Sequence, residues 1–170
     1  MKETVQEYTQ RILSNTKGQD PLQVQAETPG KIEALTKGAG SAATLCKRPA
    51  PDKWSVSEIL AHLADCEIVF AWRIRSILGE PGTPLAAFDQ DAWASSGHYA
   101  QRNPHQSLAL FRMLRENNLA LYGSLTPEQW QQYGVHAERG KESVEHLMRL
   151  MAGHDLNHLQ QIERLLAPRA

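Results

Sequence analysis

The chain has 170 residues, of which 41% are hydrophobic and 22% charged, a globular composition that excludes an extended disordered chain. Lys plus Arg total 18 against 19 Asp plus Glu, so the net charge is -1 and the basic footprint of a nucleic-acid binder is absent. Apolar runs fall far short of the ~20 residues of a membrane helix, no apolar leader core follows Met1-Lys2-Glu3-Thr4, and Cys46 and Cys66 make no disulfide framework; the expectation is one cytoplasmic domain over 1–170 without membrane or nucleic-acid partners.

Val5, Tyr8 and Ile12 predict a first helix near residues 3–16. Asp20-Pro21-Leu22-Gln23 opens a second helical unit reaching Lys37, and Thr28-Pro29 reads as a further start that breaks it at Pro29. Gly38-Ala39-Gly40 ends it. A proline-rich connection from Lys47 leads to Trp54-Ser55-Val56-Ser57-Glu58-Ile59, where Ser55 and Glu58 form a capping box and Trp54 staples onto Ile59. Ile59, Leu63, Cys66, Phe70, Ile74 and Ile77 then recur at the spacing of an amphipathic helix to about Leu78. The connection from Gly79 to Asn103 is long enough to be functional or to wrap the surface. Its Phe88-Asp89-Gln90-Asp91-Ala92-Trp93 stretch is expected to wall a pocket, or to pin itself by pairing its carboxylates with Arg73 or Arg75.

Asn103-Pro104-His105-Gln106 opens the next helix, which carries Leu108, Phe111, Leu114, Leu121 and Tyr122 to about Ser124 and is interrupted by Asn118. Thr126-Pro127-Glu128-Gln129 is another start of the same design. Asp20, Asn103 and Thr126 each place Gln three residues after the cap, as in a capping box. Tyr133 to Gly140 reads as extended. The last helix, from about Lys141 to Leu166, aligns Val144, Leu147, Met151, Ile162 and Leu165. These elements predict an all-α four-helix bundle with short accessory N-terminal helices.

His154 and His158 lie four apart on that last helix, one turn along and about 40° around, so both rings can reach one divalent metal. They also occupy the stripe Leu147, Met151, His154, His158, Ile162, where the helix otherwise buries aliphatic side chains. His62 repeats the pattern on another helix, three after Ile59 and four before Cys66. Three buried imidazoles have six ring nitrogens to satisfy. A metal taking one nitrogen from each ring solves half of that problem, and outer hydrogen bonds the rest. Hydrogen bonds from core histidines to backbone carbonyls are the metal-free alternative. His98, His105, His136 and His146 are expected to be exposed or capping.

Trp54-Ser55-Val56-Ser57-Glu58-Ile59-Leu60-Ala61-His62-Leu63 resembles the first signature of the DinB-like superfamily, and Gly153-His154-Asp155-Leu156-Asn157-His158-Leu159-Gln160-Gln161-Ile162 resembles its second. The resemblance spans essentially the whole chain in order and spacing. It implies a bundle with a long connection between its second and third helices, here Gly79 to Asn103. It implies a divalent metal, zinc, nickel or manganese, on His62, His154 and His158, and often a homodimer. Characterised members of that superfamily include thiol S-transferases and an isomerase that use low-molecular-weight thiols, so such a thiol is a candidate cofactor.

Three neutral imidazoles leave a divalent ion with its full charge and an open position, where water or a thiol ionises near neutral pH. Both hydrolysis and thiol transfer on a small molecule are thus chemically available. Glu58 and Asp65 are the candidate catalytic base or acceptors of a ring N–H, with helix capping and solvation as their structural alternatives. Asp155, Asn157 and Gln161 flank the second pair, and Cys66 is a candidate ligand, nucleophile or small core residue. The competing reading is a non-catalytic dimeric bundle with a structural or ligand-presenting metal. A fourth protein ligand such as Cys66 would favour it, and an adjoining cavity would favour chemistry.

Overall fold

A polar side chain caps each long helix. In the computed structural model, which describes residues 3–167, the elements run α1 (Val5–Ser14), α2 (Pro21–Gly38), α3 (Ala42–Leu45), α4 (Val56–Gly79), β1 (Pro84–Leu85), α5 (Gln90–Ser96), α6 (Pro104–Tyr122), α7 (Pro127–Gln131), β2 (Tyr133–His136), β3 (Gly140–Ser143) and α8 (Val144–Leu166). Thr4, Asp20, Ser55, Asn103 and Ser143 each accept an otherwise orphaned amide at the helix start. Glu58 and Gln129 complete reciprocal capping boxes with Ser55 and Thr126. Gln23 does not complete one, because its amide donates to Glu27 at 2.9 Å along the helix instead. At the start of α6, Asn103 Oδ1 alone takes the amides of His105 and Gln106.

Two expectations need correcting. α2 runs unbroken through Pro29. A proline there removes the amide that Gln25 O would accept; Arg115 Nη1 on α6 donates to that carbonyl at 2.8 Å and replaces it. The last helix starts at Val144 rather than Lys141, because residues 141–143 are paired in β3. The extended segment is thus a hairpin strand: β2 pairs antiparallel with β3 and parallel with β1, in the order β1-β2-β3. Strand pairing is invisible in so short a stretch, since its partner β1 lies about fifty residues upstream.

α2, α4, α6 and α8 form the four-helix bundle, with α4 against α6 and α2 against α8, and the 80–103 connection joining its second and third helices. α1 lies across α8. The aliphatic core divides in two. One cluster holds Phe70, Ile74 and Ile77 of α4 with Val144, Leu147 and Met151 of α8; the other holds Ile59, Leu60 and Leu63 with Leu159 and Ile162. The polar residues Glu67 and Asp155 fall between them on the same two helices, and His62, His154 and His158 lie at the edge of the gap. No helix of the described residues is long and apolar enough to cross a membrane.

Candidate metal centre

His62 on α4 and His158 on α8 are buried, and His154 is partly open to a cavity. Their ligand atoms converge: one nitrogen from each ring lies within 4.8 Å of the other two. His154 Nε2 is 3.0 Å from His62 Nε2 and 3.1 Å from His158 Nε2. Hydrogen bonding alone does not account for this. A single imidazole nitrogen offers one in-plane proton or one lone pair, so His154 Nε2 cannot bond both partners well. Three lone pairs directed at one cation can coexist. Tetrahedral ligands at ~2.0–2.1 Å from zinc stand about 3.3 Å apart, close to the spacing here. The donor set therefore fits a divalent ion.

The surroundings prepare the rings for that role. His158 Nδ1 lies 2.9 Å from Gln161 Oε1, so the proton sits on Nδ1 and Nε2 presents its lone pair. Burial, helped by the neighbouring His158, pulls the His62 pKa down to about 3. Burial likewise brings His158 to about 4, against the opposing effect of the hydrogen bond it donates to Gln161. His154 is lowered by burial and by the other two rings. All three are neutral at neutral pH, as ligation requires. Trp54 packs on the His62 ring at 5.0 Å between centroids.

A cavity of about 500 Å³ opens beside His62 and His154, walled by Tyr8 and Ile12 of α1, Cys66 and Phe70 of α4, and Phe88 of the long connection. A second, of about 260 Å³, meets the cluster at His158 and Gln161. Tyr8 and Gln90 border both. The α1 wall depends on Gly153, the residue before His154. A Cβ there would run into the backbone carbonyl of Ile12, so only glycine lets α1 cross α8 so closely. Asn15 Nδ2 fastens the crossing by donating to Gly153 O at 3.1 Å.

The family model of the DinB superfamily matches residues 24–162. The chain belongs to the DinB superfamily. Among its relatives is the Bacillus subtilis protein named "Putative metal-dependent hydrolase YfiT", 28% identical over 85% of this chain and 81% of that protein. An Oceanobacillus iheyensis protein named "Putative metal-dependent hydrolase OB0413" is 27% identical over 72% of this chain and 70% of that protein. The fold matches the solved structure of Bacillus subtilis YfiT, described as an unusual four-helix bundle topology, with a TM-score of 0.76 and 24% identity over 85% of this chain and 84% of that one. A mycothiol-dependent maleylpyruvate isomerase shares the fold at a TM-score of 0.67 and 12% identity, covering 84% of this chain and 59% of that one.

The remaining sequence candidates of this DinB-superfamily chain sit elsewhere. Glu58 accepts the amide and hydroxyl of Ser55, each at 2.9 Å, and is ion-paired with Arg48. Asp65 accepts Tyr99 Oη at 2.7 Å and Arg102 Nη1 at 3.0 Å, and so holds the long connection to α4. Among the described residues neither carboxylate bonds an imidazole: Glu58 keeps the capping role that its spacing from Ser55 predicts, and Arg48, Tyr99 and Arg102 are the partners that the sequence pattern does not reveal. Asp155 serves Arg115, and Asn157 accepts Arg11 Nη1 at 3.0 Å. Cys66 Sγ is 3.5 Å from His62 Nε2 but falls outside the converging set, and burial with nearby carboxylates pushes its thiol pKa up. The expected pairing of Asp89 and Asp91 with Arg73 or Arg75 is corrected: Asp89 caps α5, and Arg73 holds the connection through the Ala86 carbonyl. His136 is also corrected. It is buried in β2 and its Nδ1 accepts the Glu138 amide, because the hairpin folds it against α4. Arg115 carried no sequence signal, and Tyr8 and Arg73 were legible only as a helix-face residue and a loop partner, since their places at the cavity come from contacts made across the fold.

Proposed function

We propose that this protein is a divalent-metal-dependent enzyme acting on a small molecule, with His62, His154 and His158 as its ligands through Nε2. The convergence of three Nε2 atoms at a cavity wall carries the reading. A divalent ion held by three neutral nitrogens supplies a Lewis acid and an acidic position for water or a thiol. The chain's own residues then position and shield. Gln161 fixes the His158 tautomer. Trp54 packs over His62, and α1 closes one side of the cavity.

Hydrolysis is the leading reaction class, in keeping with the names of the relatives. Thiol transfer is the second reading, and one observation favours it: two cavities meet at the cluster, room for a thiol on one side and its acceptor on the other. A purely structural metal is disfavoured by the open cavity and by Cys66 standing outside the ligand set. A homodimer is supported by Ile68 and Trp72, one turn apart on α4, and Leu110 and Met113 on the neighbouring α6, all large apolar side chains left exposed. Elemental analysis of untagged protein loaded with zinc, nickel or manganese tests the centre. One equivalent per chain is expected, and none after His158→Ala; wild-type protein that takes up no metal would overturn the reading.

A further inference from the structure

The cavity beside the histidines has a second polar end. Arg73 lies eleven residues after His62 on α4, three helical turns along and about 20° around, so both side chains face the same space. Arg73 is only 4% exposed, yet among the described residues it has no carboxylate within ion-pair distance. Its Nη2 donates to Ala86 O, and its Nε is buried with no hydrogen-bond partner among the described residues. Buried charges are ordinarily paired, because removing them from water is costly. Glu142, the carboxylate whose charge acts on Arg73, is already taken by Arg139, whose Nε and Nη2 donate to its oxygens at 2.6 and 2.9 Å.

Two guanidiniums therefore stand at this end, and the one carboxylate beside them is bonded by Arg139 and not by Arg73. His136, which also lines the cavity, adds a third donor: its Nδ1 accepts the Glu138 amide, which leaves the ring proton on Nε2. The two acidic residues that border the cavity do not supply the missing charge. Glu3 is held by both Nε and Nη2 of Arg11, and Glu138 is exposed. Phe70 and Phe88 lie against the Arg73 guanidinium at 5.4 and 5.9 Å from their ring centroids, an apolar setting that leaves its charge poorly solvated.

We infer that Arg73, with Arg139 and His136, forms an anion subsite, and that the substrate is an anionic small molecule whose carboxylate or phosphate lies at this end while its reacting group lies at the histidines. Eleven residues set the two positions about 16 Å apart along α4, and the longer Arg73 side chain leans back over Phe70 toward the histidines, which shortens that span. The inference rests on the proposed metal reading only for the position of the reacting group; the anion subsite exists without it.

The test measures binding of suberate, its uncharged diamide and inorganic phosphate to the full chain, by calorimetry and thermal shift, in metal-loaded and chelator-treated forms. Suberate and phosphate should bind both forms and raise the Tm, and the diamide should not. Arg73→Gln should weaken suberate at least tenfold. Arg73→Lys, which keeps the charge but not the fork, should lose less, and it stands in if Arg73→Gln does not fold. Arg149→Gln, at an exposed helix pair with Glu145, should bind as the wild type does. Equal suberate binding by wild type and Arg73→Gln would overturn the subsite, as would a wild type that binds neither anion at millimolar concentration. Metal analysis of the same samples separates the two readings: metal without anion binding sinks the subsite alone, and anion binding without metal sinks the metal centre alone.

Discussion

Two buried polar clusters interrupt the aliphatic core, and they differ in how their bonding is completed. Around Arg115 every donor of the guanidinium is used. Nε and Nη2 donate to Glu67 Oε1 at 3.0 and 2.7 Å, Nη1 and Nη2 to Asp155 at 2.6 and 3.1 Å, and Nη1 to Gln25 O at 2.8 Å. Asn118 Nδ2 takes the remaining oxygen of Glu67 at 3.0 Å. Burial opposes the charge of Arg115, but the two carboxylates outweigh it and push its pKa up. The cluster joins α2, α4, α6 and α8 and needs nothing from outside. Around His154 the count fails: three nitrogens face one another with more acceptors than protons can satisfy. A closed network is scaffold, and an unclosed one at a cavity points to a missing partner.

The largest expected effect tests the closed side. Arg115→Leu strands Glu67 and Asp155 in the core and should cost about 3–5 kcal/mol in urea unfolding. A loss under about 1 kcal/mol would contradict the scaffold role. Removing the metal from the open side should have the next largest effect. Chelation should lower stability by about 2.7 kcal/mol if the metal had stood at a hundredfold its dissociation constant. The same chelator should not move the Tm of His158→Ala, whose far-ultraviolet circular dichroism should match the wild type. A chelator response that survives His158→Ala would place the ion elsewhere.

Gly153→Ala forces α1 away from α8 and should cost about 1–3 kcal/mol, since neither the Ile12 backbone nor the helix can yield cheaply. A crystal structure of that variant with α1 undisplaced would refute this account of the cavity wall. Gln161→Leu should have the smallest effect on the fold. It frees the His158 ring and should weaken metal affinity about 10–100-fold with the Tm of the chelated protein unchanged. Metal titration by competition with a chromophoric chelator reads it directly.

Much of the scaffold was legible along the chain. The apolar spacing from Ile59 to Ile77 and from Val144 to Leu165, with Ser55 and Asn103 as caps, marks helices that the structure contains within a few residues. The same periodicity put His62, His154 and His158 at core positions, because helical spacing alone decides which residues share a face. Glu58 was legible too, but as the cap that its spacing from Ser55 describes. Asp65 looked equally suited to the site, and only the arrival of Tyr99 and Arg102 from the long connection tied it to another task.

Local pattern thus determined the helices, their buried faces and the helical positions of the imidazoles, since caps and periodicity depend on residues within a few turns of each other. Tertiary structure alone decided which nitrogens meet, that Pro29 can stay helical because Arg115 serves the Gln25 carbonyl, that Gly153 admits α1, and that Arg73 is buried with no paired carboxylate among the described residues. Each of these is a contact between residues far apart in the chain, and no local spacing encodes the distance at which two helices cross.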